Sequence, residues 1–252
     1  MYKFYILQSL KPEESYLGKQ VFNNIKDLAP SYFCEIQNEK NLFDTLELIR
    51  QDLMINLSKQ GIIHIHCHGN ENGIVLYENS SIQKLINWSD IRPYFRNIYI
   101  STSKRTIISV CSCEGFNAGR LVAHFEPCPF DYVTGSMKEV GFEDSVNGYT
   151  YFYKSLISGK TVREGTIETT AKFIDMDFVC LNSIQLFKAA CEELMKFSSF
   201  PGNLKQKREV MKQKIINDFG YINEKQKNII DQGYSEEGVK TYIERYKEIF
   251  LS

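Results

Sequence analysis

Short runs of β-forming residues alternate with helical patterns from the N-terminus to about residue 175, and this alternation constrains the fold more than any other feature of the sequence. Residues 62–67 and 106–113 are rich in Ile, Val and Cys, which predicts two central strands. Strands separated by helices are typical of a parallel sheet that is covered by helices. The sequence therefore predicts an α/β domain.

The segments between these strands predict the covering helices. Residues 41–58 carry apolar side chains at helical spacing, namely Leu42, Leu46, Ile49, Leu53 and Leu57. Residues 73–77 predict a short strand after a turn, and residues 117–125 predict a crossover helix that follows the second central strand.

The strand signal fades near residue 183, and the remaining sequence is helical and charged. We therefore predict an α/β domain over residues 1–182 and a helical C-terminal extension over residues 183–252. Gly202, Gly220 and Gly233 are the expected breaks between the helices of this extension.

Composition excludes several classes of protein. The chain of 252 residues has 30 Lys and Arg against 31 Asp and Glu, so no global charge favours nucleic acid or a membrane surface as a partner. No apolar run approaches the roughly 18 to 20 residues that a membrane-spanning helix needs, and the first residues do not resemble a signal peptide. We expect a cytoplasmic protein whose seven scattered Cys are free thiols.

Three of the four His alternate along the first central strand. His64, His66 and His68 should therefore point to the same face of the sheet. One interpretation is a metal site, with Cys111, Cys113 or a carboxylate as a further ligand. The other is that His64 and His66 are hydrogen-bonded core residues.

His68 differs from the other two because Gly69 follows it and ends the strand. Ligands and substrates of open α/β sheets bind at the carboxyl ends of the strands. The second central strand ends at Cys111 and Cys113, before Gly115. A Cys and a His from neighbouring strands can form a nucleophile and its base.

These residues resemble the caspase-like cysteine peptidases, in particular the bacterial branch called CHAT. The family pattern is a strand ending in His-Gly, a β-hairpin, a strand ending in Cys, and a later pair of helices with an aromatic motif. Residues 62–69, 73–76 and 151–162 are similar to the first, second and last of these elements. The resemblance covers about residues 1–175.

The resemblance implies a three-layer α/β/α sandwich with a mainly parallel sheet, and a cysteine endopeptidase that needs no cofactor. It implies that His68 transfers protons and that backbone amides at Gly69 and at the nucleophile bind the oxyanion. Cys113 is the favoured nucleophile, because its Ser-Cys-Glu-Gly context is similar to the caspase motif. Cys111 is the alternative, because Ile-Ser-Val-Cys is similar to the CHAT motif.

The expected substrate is a protein, and Glu114, Glu143 and Asp144 are candidates for lining an acidic substrate pocket. Relatives of this kind are commonly bacterial effectors, which implies regulated cleavage in phage defence or cell death and a regulatory protein partner for the C-terminal helices. Two alternatives stay open. One is a catalytically silent scaffold of the same fold, and the other is a metal-dependent hydrolase that uses His64, His66 and His68.

Overall fold

A computed structural model describes residues 1–56, 58–78, 82–103, 105–112, 115–123, 126–200 and 202–251. The chain divides into two compact units. The first comprises Met1–Ala123 and Cys128–Ser183, and the second comprises His124–Pro127 and Ile184–Ser252.

The first unit contains a sheet of eight strands with the order β2-β1-β3-β6-β7-β8, to which β4 and β5 are joined as a hairpin on β3. The strands are β1 (Tyr2–Ser9), β2 (Ser31–Glu35), β3 (Gln60–Asn70), β4 (Gly73–Glu78), β5 (Ile82–Asn87), β6 (Thr106–Cys111), β7 (Tyr132–Ser136) and β8 (Phe178–Asn182). The strands from β2 to β7 along this order pair in parallel, whereas β8 is antiparallel to β7. The predicted α/β class with a mainly parallel sheet is confirmed.

Helices cover both faces of this sheet. They are α1 (Leu17–Ile25), α2 (Glu39–Ile55), α3 (Trp88–Ser101), α4 (Phe142–Ile157) and α5 (Val162–Lys172). Alternate side chains of β1, β3 and β6 pack with α1 and α4 in one core, and this core includes Phe4, Ile6, Ile62, Ile107, Val21, Tyr149 and Tyr153. The intervening residues Ile63, Ile65 and Ile108 are buried on the opposite face. The predicted three-layer arrangement follows from this alternation.

The helix predicted over residues 41–58 is α2, and its apolar stripe is buried as expected at Leu42, Leu46, Ile49 and Leu53. Leu57 lies outside the described residues. The helix begins at Asn38, whose side chain accepts a hydrogen bond of 2.8 Å from the amide of Asn41.

Three local predictions need correction. The crossover helix predicted over residues 117–125 is wrong, because a 3₁₀ helix, Gly115–Leu121, occupies the described part of that segment. Its carbonyl oxygens at Arg120 and Leu121 accept hydrogen bonds from the Arg92 guanidinium instead of continuing an α-helix. The strands β5 and β8 were not predicted, since both are short and lack a clear alternation of apolar and polar residues.

The second unit is helical. Its helices are α6 (Ser183–Ser199), α7 (Asn203–Phe219), α8 (Glu224–Gly233) and α9 (Glu236–Phe250). Gly202 and Gly220 have φ angles of +93° and +78°, which glycine adopts easily, and they flank α7 as expected. Tyr246 and Phe250 of α9 pack against Phe187 of α6. Among the described residues, no helix is long and apolar enough to cross a membrane.

Candidate active site

The candidate active site lies at the carboxyl ends of the central strands. Strands β3 and β6 pair in parallel, with His66 opposite Cys111, the last residue of β6. His68 comes two residues later in β3, where the strand has turned to pair with Val75 of the hairpin. The His68 side chain is 32 % exposed, so this end of the strand is open to solvent.

The imidazole of His68 is held by a carboxylate. Its Nε2 atom lies 2.6 Å from Oε2 of Glu14, whose side chain is only 10 % exposed. Glu14 ends the 3₁₀ helix Pro12–Glu14, which follows β1, and β1 is the neighbour of β3 in the sheet. The ring of Tyr77 packs edge to face on the imidazole of His68, with 5.7 Å between the two ring centroids. An acidic partner orients an imidazole and stabilises its protonated form.

His64 and His66 lie in the core beside Cys111. Their exposed fractions are 0 % and 3 %, against 6 % for Cys111. The Cys111 Sγ atom is 3.5 Å from Nε2 of His66, and Nδ1 of His66 is 3.3 Å from Nε2 of His64. His64 and His66 are therefore buried and hydrogen-bonded, as the second interpretation expected.

The hydrogen-bond chain continues from His64 to α4 and has a direction. The Tyr153 hydroxyl donates to Oγ of Ser109 at 2.8 Å, so its oxygen accepts from Nδ1 of His64 at 2.7 Å. His64 then carries its proton on Nδ1, and its Nε2 atom is an acceptor for Nδ1–H of His66. Nε2 of His66 is left as the acceptor that faces the Cys111 thiol.

Burial keeps this chain neutral. Burial, with a smaller contribution from the charge of His68, lowers the pKa of His66 to about 3. Burial also lowers the pKa of His64 well below its ordinary value. Both imidazoles are therefore uncharged at neutral pH and too weakly basic to accept a proton readily during turnover.

A small pocket of about 50 Å³ opens between these groups. Its polar side is formed by His66, His68, Cys111, Ser112, Ser136 and Ser145, and its apolar side by Leu10, Leu17, Val140, Phe142 and Tyr149, with Cys67 beside them. The pocket thus joins the exposed imidazole to the buried thiol.

Gly69 is required by close packing at the end of β3. A Cβ atom on this residue would lie 2.9 Å from the carbonyl oxygen of Gly73 and 3.0 Å from Oγ of Ser112. Its predicted function as an oxyanion donor stays a prediction.

The other predicted residues have different outcomes. Cys113 and Glu114 lie outside the described residues. Glu143 and Asp144 are exposed in the first turn of α4, whereas Phe142 and Ser145 of the same turn line the pocket. Residues at these spacings project from different sides of a helix, so the two carboxylates are not part of the described pocket wall.

The alternative of a metal site was left open with two or three of these imidazoles and a further ligand. Among the described residues, His64, His66 and Cys111 bring possible ligand atoms within 4.8 Å of one another. His68 is not a member of this group, since its Nε2 atom is bonded to Glu14. Sequence reasoning missed Glu14, although an acidic residue in the short segment after a neighbouring strand was a usable signal.

Comparison of the chain with protein-family models and with curated protein sequences gives no match. The resemblance to caspase-like peptidases therefore depends on the residues described above, and we treat the activity as a proposal.

Proposed function

We propose that this protein is a cysteine endopeptidase in which His68 is the acid–base group and Glu14 is its positioning residue. The observation that carries the proposal is the 2.6 Å pair of His68 and Glu14 at the carboxyl edge of a parallel sheet, beside a pocket. Reactive sites of open α/β folds form at this edge.

The proposed reaction follows from this arrangement. The nucleophilic thiol attacks the scissile carbonyl carbon and gives its proton to His68. Because Nε2 of His68 is bonded to Glu14, Nδ1 is the atom that accepts this proton. His68 then protonates the leaving amine, and water hydrolyses the thioester with the same imidazole as base. Backbone amides, including that of Gly69, are the proposed oxyanion donors.

Cys113 is the proposed nucleophile, and energetics argue against Cys111. The base nearest to Cys111 is His66, whose pKa is about 3. Protonating His66 therefore costs about 5 kcal/mol more than protonating a free imidazole, at about 1.4 kcal/mol for each pH unit. Transfer of the Cys111 proton to His66 is therefore unfavourable in the metal-free protein, which argues against Cys111 as the nucleophile.

The pocket indicates the substrate side chain that the site would accept. None of its described lining residues is Asp, Glu, Lys or Arg. A cavity of about 50 Å³ holds about three to five water-sized groups. We propose that the residue before the cleaved bond is uncharged and of small to medium size. This proposal differs from the acidic pocket for which Glu114, Glu143 and Asp144 were the candidates, and Glu114 lies outside the described residues.

Labelling with peptidyl acyloxymethyl ketones tests the proposal without a known substrate. We expect a reagent with Ala or Val next to the reactive group to modify Cys113, and reagents with Arg or Asp there to react more slowly. His68→Ala should reduce the labelling rate by roughly 10² to 10⁴, the usual contribution of a general base. Peptide mapping should leave the half-buried Cys34 and Cys191 unmodified.

Unchanged labelling in a folded His68→Ala protein would contradict the peptidase proposal. It would favour the catalytically silent scaffold, which keeps the fold without the chemistry.

A further inference from the structure

We propose that His64, His66 and Cys111 form a binding site for a single Zn²⁺ ion in the inner wall of the pocket. The possible ligand atoms of these three buried residues all lie within 4.8 Å of one another. Two imidazoles and a thiolate are a ligand set that zinc prefers, and three protein ligands leave the fourth tetrahedral position open.

The distances agree with tetrahedral zinc. With Zn–N bonds of about 2.0 to 2.1 Å, two nitrogen ligands are about 3.3 to 3.4 Å apart, and Nε2 of His64 is 3.3 Å from Nδ1 of His66. A nitrogen and a sulfur ligand should be about 3.5 Å apart. All ligand atoms lie within 4.8 Å of one another, so the widest distance between two of them exceeds this tetrahedral value by at most about 1.3 Å. The Cys111 sulfur would have to move by up to about this distance for the ion to bind.

The surrounding hydrogen bonds prepare His64 as a ligand. Tyr153 donates to Ser109 and accepts from Nδ1 of His64, which leaves the lone pair of Nε2 directed at the cluster. Thr134 also donates to Ser109, at 2.9 Å, and fixes this acceptor. Metal-binding imidazoles usually donate their second ring nitrogen to such a partner, and this bond fixes the tautomer.

Binding requires one proton to leave. The Cys111 thiol loses its proton to water as the Zn–S bond forms, so one Zn²⁺ enters and one H⁺ is released. On binding, the His66 proton moves from Nδ1 to Nε2, so that Nδ1 presents its lone pair to the ion. Since His66 and Cys111 line the pocket, the fourth ligand is a water molecule or a group that enters the pocket.

The 252-residue chain, stripped of metal with a chelator and titrated with Zn²⁺ and separately with Co²⁺, tests the site. We expect one equivalent of each metal and a near-ultraviolet thiolate-to-cobalt charge-transfer band. Cys111→Ser, which is nearly isosteric, should abolish the band, whereas the control Cys128→Ser, at another buried thiol, should keep it. Tyr153→Phe should weaken Zn²⁺ binding by about 10- to 100-fold, the usual effect of losing an outer partner.

His68→Ala separates this proposal from the peptidase proposal. It should keep the cobalt band and lose the peptidyl labelling, because His68 belongs to the catalytic pair and not to the cluster. Absence of binding by the wild-type protein, retention of the band in Cys111→Ser, or its loss in His68→Ala would each overturn the zinc site. Thermal melting of each variant shows whether it has folded.

Discussion

The buried imidazole of His66 should make the protein unstable in acid, and His66→Gln should remove a defined part of that instability. His66 is 3 % exposed, and its folded pKa is about 3, while an unfolded His titrates near 6.5. Below pH 6.5 the unfolded chain binds a proton that the folded chain does not. Acid therefore favours unfolding, and stability is present above about pH 6.5 and is lost as the pH falls toward 3.

The magnitude follows from these two pKa values. At pH 5 the unfolded imidazole is almost fully protonated and the folded one is neutral, so His66 lowers the free energy of unfolding by about 2 kcal/mol relative to pH 8. His64 acts in the same direction, because its pKa is also lowered by burial. Carboxylates titrate too, but they contribute equally to wild type and variant.

Urea unfolding at pH 8 and pH 5, with a chelator present, measures the effect. Lowering the pH from 8 to 5 should reduce the free energy of unfolding of the wild type by about 2 kcal/mol more than that of the His66→Gln variant. Tyr153→Phe is the matched control, because it breaks the same buried chain but burial raises the pKa of Tyr153 far above this range. It should lower stability at both pH values and keep the wild-type difference.

If the free energy of unfolding fell equally between pH 8 and pH 5 in the wild type and in His66→Gln, the reasoning would be refuted. That result would mean that His66 is protonated or solvated in the folded protein, and the assignment of Cys111 as a poor nucleophile would fail with it.

Three further predictions concern the reaction and the second unit. Glu14→Gln should slow peptidyl labelling by about 10- to 150-fold, since a charge-assisted hydrogen bond contributes about 1.5 to 3 kcal/mol, whereas the exposed neighbour variant Glu13→Gln should label normally. Equal effects of the two variants would exclude a specific function of Glu14. Cys113→Ala should abolish labelling and Cys111→Ala should keep it, and mass mapping of the adduct to Cys111 would reverse the assignment. Truncation before Val239 should lower the melting temperature of the second unit, because it removes the aromatic contacts of α9 with α6, and an unchanged transition would contradict this.

The parallel sheet was predictable because its signal is local. Residues 62–67 and 106–111 contain a high share of Ile, Val and Cys and are buried on both faces, and a strand covered by helices on both sides favours such residues. The alternation of His64, His66 and His68 also placed them on one face without any knowledge of neighbouring strands. Each of these inferences uses only residues that are close in sequence.

The contacts across strands were not predictable in this way. The pairing of Cys111 with His66 depends on the register between β3 and β6, and no short motif specifies that register. The contact of Glu14 with His68 joins residues 54 positions apart. Helical spacing, by contrast, could have predicted that Phe142, Ser145 and Tyr149 share a face that excludes Glu143 and Asp144.

The three imidazoles of β3 show how depth in the sheet assigns chemistry to identical side chains. Exposure rises along the strand from 0 % at His64 and 3 % at His66 to 32 % at the His68 side chain. The two inner rings lack a carboxylate partner in their described contacts and stay neutral, which suits them to accept hydrogen bonds or bind a metal ion. The outer ring is exposed to solvent and bonded to Glu14, which is the arrangement that the proposed acid–base function needs. The same strand can therefore supply a metal site and an acid–base group, because its inner part is desolvated and its end is not.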